Sequence, residues 1–173
     1  MTRASLRRTS LTMRRTSLAL TISVLLGCDA TTPPASVPVS AGGKTFACRL
    51  AITDATREKG LGGVTSLGAD EGMLFAFNDS RPRSFWMYGC VIDLDIAFID
   101  PFGFVTAVHT MPKEAPQSAE ESDAVYSGRL KRYPSMGDAQ YVLEVAPGTL
   151  KPLGVHRGSK VDFDAPALKR FIE

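Results

Sequence analysis

A strand–turn–strand segment in the middle of the chain most constrains the fold. Residues 91–100 (VIDLDIAFID) alternate so that four large apolar side chains share one face, which is typical of a β-strand. The sequence Asp100-Pro101-Phe102-Gly103 follows, with Asp, Pro and Gly at the positions that a type I turn favours. Residues 104–111 are then expected to run back as the antiparallel partner. The segment therefore predicts a β-hairpin.

Other short segments have the same character, with turn residues between them. Further strands are predicted at residues 46–52, 72–77, 84–88, 138–145 and 160–163. A short helix is expected over Asp54–Lys59, with Asp54 as its N-cap and Gly60 as its end, and 149–154 fits one helical turn. Residues 112–124 are polar and contain proline, which predicts a loop. Six or seven short strands with one or two short helices predict a mainly β fold, either a small β-sandwich or a barrel.

The N-terminal residues 1–27 have the pattern of a secretory signal peptide. Five arginines and no acidic residue precede the apolar run at 18–26. That run has about nine residues, whereas a membrane-spanning helix needs about 20. The segment RRTSL occurs twice, and Met13 stands before the second copy, so translation starts at either Met1 or Met13.

The apolar run ends at Leu25-Leu26-Gly27-Cys28, which resembles the bacterial lipobox. In that motif the chain is cut before the cysteine, whose thiol receives a diacylglyceryl group carrying fatty acids such as palmitate. Two acyl chains anchor a protein stably in a bilayer. We therefore expect a lipoprotein anchored through Cys28 on the extracytoplasmic side of a membrane in the cell envelope. The alternative is an ordinary signal peptide with an incidental cysteine.

Residues 28–44 are rich in Pro, Ala, Ser, Thr and Gly, which predicts a flexible tether before a single β-rich domain at 45–173. The formal charge of the whole chain is +2, from 20 basic and 18 acidic residues. Five of the basic residues lie in the leader, and no acidic residue precedes Asp29. The chain after the leader therefore carries 15 basic and 18 acidic residues. This slight acidity argues against a nucleic-acid partner.

Three stretches carry a resemblance to a known family. GLGGVTSLGADEGMLFAF, RPRSFWMYGCVIDLDIAFID and YVLEVAPGTLKPLGVHRGSKV resemble the domain-of-unknown-function 192 family, over most of residues 44–163. The resemblance implies a compact, mostly β fold that is often secreted or lipid-anchored, with no established activity. The chain departs from the family pattern at three places. The family usually has methionine at the position of Gly62, and proline at the position of Asp93. At residues 88–90 it usually has a basic residue followed by Asn and Thr.

Asp93 and Asp95 are the first candidate for chemistry. Residues two apart on a strand point the same way at roughly 7 Å, a spacing suited to glycoside hydrolysis or metal binding. Only Asp95 matches the family pattern, however. The favoured interpretation is that Asp95 accepts hydrogen bonds from backbone amides near a strand end and that Asp93 is solvated.

Cys48 and Cys90 are the cysteines that remain after Cys28. In an oxidising compartment they are candidates for a disulfide, which would close a loop of about 40 residues and stabilise the fold by roughly 4 kcal/mol. The alternatives are two buried free thiols, or a reactive cysteine paired with His109 or His156. No spacing of ligands predicts a metal site, and no cofactor is expected.

Trp86 is the sole tryptophan of the chain, and two interpretations are open for it. It is either a core side chain, which is the favoured interpretation, or part of an aromatic binding platform. The platform would comprise Trp86 and Tyr88, edged by Arg83 and Glu71, and with Asp95 these residues form the candidate binding set. Such a surface suits a sugar, a cell-wall fragment or a peptide.

The sequence thus favours a non-enzymatic, membrane-anchored binding module for a saccharide, a cell-wall fragment or a peptide. One alternative is a hydrolase that acts on an envelope polymer through Asp95 with Glu71 or His109. Another is an assembly factor that contacts an envelope protein through an exposed strand edge. No convergent catalytic set is apparent, so an enzyme is the less favoured class.

Overall fold

The computed structural model describes residues 32–172, which contain seven strands and four short helical segments. The strands are β1 (Ser36–Ala41), β2 (Lys44–Ala51), β3 (Glu71–Phe85), β4 (Leu94–Ile99), β5 (Val105–Met111), β6 (Tyr133–Val145) and β7 (Val161–Asp162). The helices are α1 (Asp54–Lys59), α2 (Asp123–Arg129), α3 (Ala165–Leu168) and the 3-10 helix η1 (Lys169–Phe171). The prediction of a mainly β fold is confirmed, with more helical segments than the one or two expected.

All seven strands belong to one sheet, in the order β5-β4-β6-β3-β2-β1-β7. The pair β2–β3 is parallel and the other neighbours are antiparallel. The two edges of the sheet approach each other, because Phe104 and Lys160 form an isolated bridge. The Val105 N–H donates to the Ser159 carbonyl at 2.9 Å beside it. The sheet is therefore curled toward a barrel and is not split into the two layers of a sandwich.

Two hydrophobic clusters cover the two faces of this sheet. The inner cluster draws on all seven strands and includes Phe46, Tyr141 and Leu143. The outer cluster occupies the opposite face, with Phe75 and Phe98 among its members. Since successive side chains of a strand point to opposite faces, the buried side chains of β4 and of the paired parts of β3 and β6 alternate between the two clusters.

The central hairpin forms as predicted. Gly103 N–H donates to the Asp100 carbonyl at 3.0 Å, which closes the turn. The Asp100 carboxylate also accepts from the amides of Phe102 and Phe104, each at 2.8 Å. Strand β4 pairs with β5 on one side and with β6 on the other, and every side chain of β4 is buried.

The structure corrects the expected tether, because residues 36–41 form β1 and pair with β2. Gly42 and Gly43 join the two strands with φ values of 57° and 78°, which the favoured two-residue hairpin turn requires. A Cβ on Gly42 would lie 2.4 Å from the Leu153 carbonyl oxygen, so only glycine fits there. Pro38 is tolerated because β7 pairs only with Ser40 and Ala41, which leaves the strand at Pro38 unpaired on that side.

Several element boundaries differ from the predictions. The N-cap of α1 is Thr53 rather than Asp54, and its hydroxyl accepts from the Thr56 N–H. The predicted strand at 84–88 contributes only its first two residues, as the end of the long β3. Residues 149–154 form turns and not a helix, and α2 begins inside the predicted loop.

The predicted signal peptide and the lipidation site Cys28 lie outside the described residues. Within residues 32–172, no helix is long and apolar enough to cross a membrane.

Candidate functional site

A cleft of about 350 Å³ opens between α1, the end of β3, the loop that follows it, and β6. Helix α1 forms one wall of this cleft, and an aromatic wall lies at the end of β3 and in the loop. The cleft is lined by Asp54, Arg57, Glu58, Lys59, Gly60, Leu61, Phe75, Phe77, Ser84, Phe85, Trp86, Tyr88, Cys90 and Glu144. Its volume lies at the lower end of the range for small-molecule sites.

Glu144 contributes a buried carboxyl group to this cleft. Its position in β6, two residues after Val142, places it on the outer face of the sheet, and it is only 4 % exposed. No residue of the described chain forms a hydrogen bond or an ion pair with the carboxyl group. Burial raises its pKa from 4.5 to about 8. The group is therefore predominantly protonated at pH 7, since burial without a partner penalises the charged form.

The aromatic wall has an ordered base and an exposed rim. Phe75 and Phe85 pack edge to face with their centroids 5.0 Å apart, and Phe85 packs in the same way against Phe98 at 5.5 Å. At the rim, the centroids of Trp86 and Tyr88 lie 6.2 Å apart with their planes tilted by 41°. Trp86 is 38 % exposed, which corrects the favoured interpretation that it is a core residue.

Two further side chains hold this rim in place. The Arg132 guanidinium lies 3.4 Å from the centroid of the Trp86 ring and donates to the Ser127 carbonyl at 3.1 Å. The Tyr126 ring packs against Tyr88 at 4.9 Å. Its hydroxyl accepts from the Gly89 N–H at 3.1 Å. Helix α2 and the chain after it thereby position the loop that carries both rings.

Arg57 supports the helical wall by bonds to the backbone. Its guanidinium donates to the carbonyl oxygens of Ile52 at 2.7 Å and Ala76 at 2.9 Å. It also pairs with Asp54 at 2.7 Å and lies 5.2 Å from the centroid of the Phe77 ring. These contacts fix α1 against β3 and commit the guanidinium to the structure of the wall.

Cys90 lines the same cleft as a free thiol. Its pKa is raised to about 12, first by burial and then by the charge of Glu144. Cys48 is also free, and burial raises its pKa to about 12. Because the reactive form of cysteine is the thiolate, neither group is suited to act as a nucleophile at neutral pH.

The predicted disulfide is corrected by the placement of the two cysteines. Cys48 belongs to the inner cluster, whereas Cys90 packs against the outer cluster on the other face of the sheet. The sheet therefore separates the two sulfur atoms. The alternation of β2 could assign Cys48 to one face, but the position of the loop that holds Cys90 could not be predicted from sequence patterns.

Of the predicted binding residues, Trp86 and Tyr88 line the cleft and Arg83 lies behind it. The buried Arg83 guanidinium pairs with Asp79 and donates to the Ala139 carbonyl at 2.7 Å. It covers the Phe77 ring at 3.4 Å from the centroid. Glu71 lies elsewhere, at the exposed start of β3, where its carboxylate accepts from the Gly68 N–H at 3.0 Å.

Asp95 lies on the inner face of the sheet and is 1 % exposed. Its Oδ1 accepts from the Thr110 hydroxyl at 2.8 Å, and its Oδ2 accepts from the Leu150 N–H at 3.0 Å. Asp93 instead accepts from the Lys113 N–H at 2.8 Å at the surface. Asp95 therefore connects β4 to β5 and to the turn after β6.

The groups proposed for hydrolysis or metal binding do not converge. His109 contacts the Pro134 carbonyl through Nε2 at 2.8 Å, on the outer face. The Nδ1 atom of His156 lies 2.6 Å from the Gly154 carbonyl in a separate turn. Across residues 32–172, no group of three or more His, Cys, Asp or Glu side chains could hold a metal ion.

Glu144 was not among the predicted site residues, although its place in a strand with apolar neighbours on both faces indicates burial. The predicted strand at 138–145 contains YVLEV at 141–145, whose alternation leaves Glu144 on the face opposite Tyr141, Leu143 and Val145. That face is covered by the outer cluster, as the apolar Val142 beside Glu144 indicates. A carboxyl group on a strand that is buried on both faces is a candidate site residue.

The chain resembles two proteins of known structure. A protein of unknown function from Novosphingobium aromaticivorans DSM 12444 has 32 % sequence identity and a TM-score of 0.61, over 73 % of this chain and 84 % of that one. A protein from Sinorhizobium meliloti 1021, provisionally described as a transcription regulator, has 30 % identity and a TM-score of 0.59, over 75 % of this chain and 94 % of that one.

Comparison with curated proteins found no match. A family model does match residues 37–163, from the second residue of β1 to just beyond β7. The model is that of domain-of-unknown-function family 192, described as Uncharacterized ACR. The chain belongs to this family.

Proposed function

We propose that this protein is a binding module of the cell envelope, anchored in a membrane by lipid on Cys28. Its cleft would take a saccharide, a cell-wall fragment or a peptide. The observation that carries the proposal is the unpartnered carboxyl group of Glu144 in a cleft walled by aromatic side chains. A few polar groups set among apolar walls are characteristic of ligand sites.

The placement of the other candidate groups favours binding over hydrolysis. Asp95, Glu71 and His109 were the acids and base considered for a hydrolase, and they lie at three separate places. Asp95 is fully used by Thr110 and Leu150. A hydrolase needs acid and base groups within reach of one bond. The cleft also presents Cys90 as an uncharged thiol rather than as a nucleophile.

The proposed location at the cell envelope rests on the sequence. The leader and Cys28 would deliver the domain to the extracytoplasmic side of a membrane, where cell-wall material is available. The tether would be shorter than the sequence suggests, because β1 begins at Ser36. About seven residues would then separate the lipid from the sheet, a span of at most about 25 Å when extended.

The binding proposal is tested by equilibrium dialysis of the full chain against an enzymatic digest of the cell wall of its host. We expect the wild type to retain particular fragments, identified by mass spectrometry, and Trp86→Ala to lose them. Phe102→Ala is the matched control, because Phe102 is a 76 % exposed aromatic residue that does not line the cleft. Retention of no fragment by the wild type, or equal retention by Trp86→Ala, would overturn the proposal.

A further inference from the structure

We infer that the cleft selects ligands that present an ammonium group, and that this group pairs with the carboxyl group of Glu144. The inference rests on the proposed binding function and specifies the chemistry of the ligand. It assigns Glu144 as the residue that determines specificity, while Trp86 and Tyr88 provide the walls.

The charged side chains of the cleft leave Glu144 without a cationic partner among the described residues. Arg57 and Lys59 are the cationic residues that line the cleft. Arg57 is held by two carbonyl oxygens and by Asp54. Lys59 is exposed in the last turn of α1. None of the ion pairs among the described residues includes Glu144. The Glu144 carboxyl group thus has no cationic partner among the described residues, and a cationic group of a ligand fits that place.

A neighbouring cation stabilises the charged form of a buried acid. Burial raises the pKa of Glu144, and no cationic partner among the described residues lowers it again, so the group is mostly protonated at pH 7. An ammonium group beside it would favour the carboxylate, and the proton would leave to the solvent. The result is a buried, charge-assisted hydrogen bond between N–H and carboxylate oxygen, which is stronger than a bond between neutral groups.

The walls of the cleft are rich in aromatic side chains. Ammonium groups are attracted to the faces of aromatic rings, and tryptophan is the most effective of them. The Arg132 guanidinium covers one face of the Trp86 ring at 3.4 Å from the centroid, so a ligand ammonium would have to use the opposite face or the Tyr88 ring. An anionic ligand could meet Lys59 at the exposed side of the cleft but would gain nothing from the Glu144 carboxyl group. The walls and the base of the cleft therefore favour the same class of ligand.

The test uses two pairs of probes in which only the amine differs. The sugar arm compares D-glucosamine with D-glucose, and the peptide arm compares Nα-acetyl-lysine amide with Nα-acetyl-norleucine amide. Binding to the full chain in detergent at pH 7 is followed by the fluorescence of Trp86, the sole tryptophan, which lies in the cleft. We expect at least one amine to bind about tenfold or more tightly than its neutral partner. The arm that responds identifies the source of the amine.

Glu144→Gln should reduce this preference to about twofold or less, because the amide keeps the shape and loses the charge. Glu120→Gln is the matched control, at an exposed glutamate that does not line the cleft, and it should keep the preference. The wild type should also release close to one proton per bound amine, measured by calorimetry in two buffers of different ionisation enthalpy. This second readout does not depend on the folding of a variant.

The inference is overturned if neither amine binds, if the neutral partners bind as tightly as the amines, or if Glu144→Gln keeps the preference. Its failure is distinguishable from failure of the proposed function. If the dialysis experiment retains cell-wall fragments through Trp86 while both amine arms fail, the binding module stands and the specificity for amines does not.

Discussion

Asp95 and Glu144 lie on neighbouring strands and face opposite sides of the sheet. In the register of β4 and β6, Asp95 is opposite Val145 and Ile96 is opposite Glu144. Both acids are buried, but Asp95 accepts two hydrogen bonds and Glu144 accepts none from the described residues. One carboxyl group is therefore structural, and the other is available to a ligand.

This difference predicts that Asp95→Asn lowers stability and leaves binding unchanged. The amide retains one acceptor for either Thr110 or Leu150 and leaves the other donor unsatisfied. The expected loss is about 1 to 3 kcal/mol in the free energy of unfolding, measured by urea denaturation. A variant of unchanged stability that no longer retained cell-wall fragments would contradict the structural role of Asp95.

Glu144 should make stability depend on pH. Its pKa rises from 4.5 to about 8 on folding, so the folded state binds the proton more tightly than the unfolded state. Its contribution is fully present below pH 4.5, decreases between pH 4.5 and 8, and is lost above about pH 8. We expect the free energy of unfolding to fall by roughly 3 kcal/mol between pH 5 and pH 8.

Urea denaturation across this range measures the decrease, and Glu144→Gln should remove it. Glu58→Gln serves as the control at an exposed site and should keep it. If the wild type and Glu144→Gln show the same dependence on pH, then Glu144 titrates as an ordinary surface acid.

The two thiols should be protected in the folded protein. With pKa values near 12, Cys48 and Cys90 hold a very small thiolate fraction at pH 8. Iodoacetamide should therefore leave both thiols unmodified in the folded protein. After unfolding, it should modify both without any added reductant, as measured by intact mass. A protein in which neither thiol reacts until it is reduced would restore the disulfide.

The anchor predicts a change in location when Cys28 is replaced. Cys28→Ser removes the thiol that would carry the lipid, so the protein should leave the membrane fraction of its host. Fractionation followed by immunoblotting measures this, with Cys90→Ser as the matched control that stays with the membrane. Retention of Cys28→Ser on membranes without lipid would defeat the anchor hypothesis.

Local patterns predicted the central hairpin well. The alternation in β4 and the residues of the Asp100–Gly103 turn act over short distances, and both are observed. Strand β1 was missed because the composition of its segment indicates flexibility. Its pairing with β2 depends on the turn at Gly42 and Gly43, which sequence composition does not reveal.

The site was less predictable because it depends on contacts between distant segments. Trp86 and Tyr88 were identified from their local cluster of aromatic residues. Their proximity to Glu144, which lies more than 50 residues further along the chain, depends on how the loop after β3 folds against α1 and β6. Arg83 and Asp95 have charged side chains suited to a ligand-binding site, but in the fold both form internal hydrogen bonds.

The most direct test of this account is the titration of the Glu144 carboxyl carbon by ¹³C NMR, assigned with Glu144→Gln. The Glu144 carboxyl group should titrate near pH 8 when no probe is added, and at lower pH when the preferred amine probe is bound. A carboxyl group that titrates near pH 4.5 in both states would contradict it, because Glu144 would then be an ordinary solvated acid.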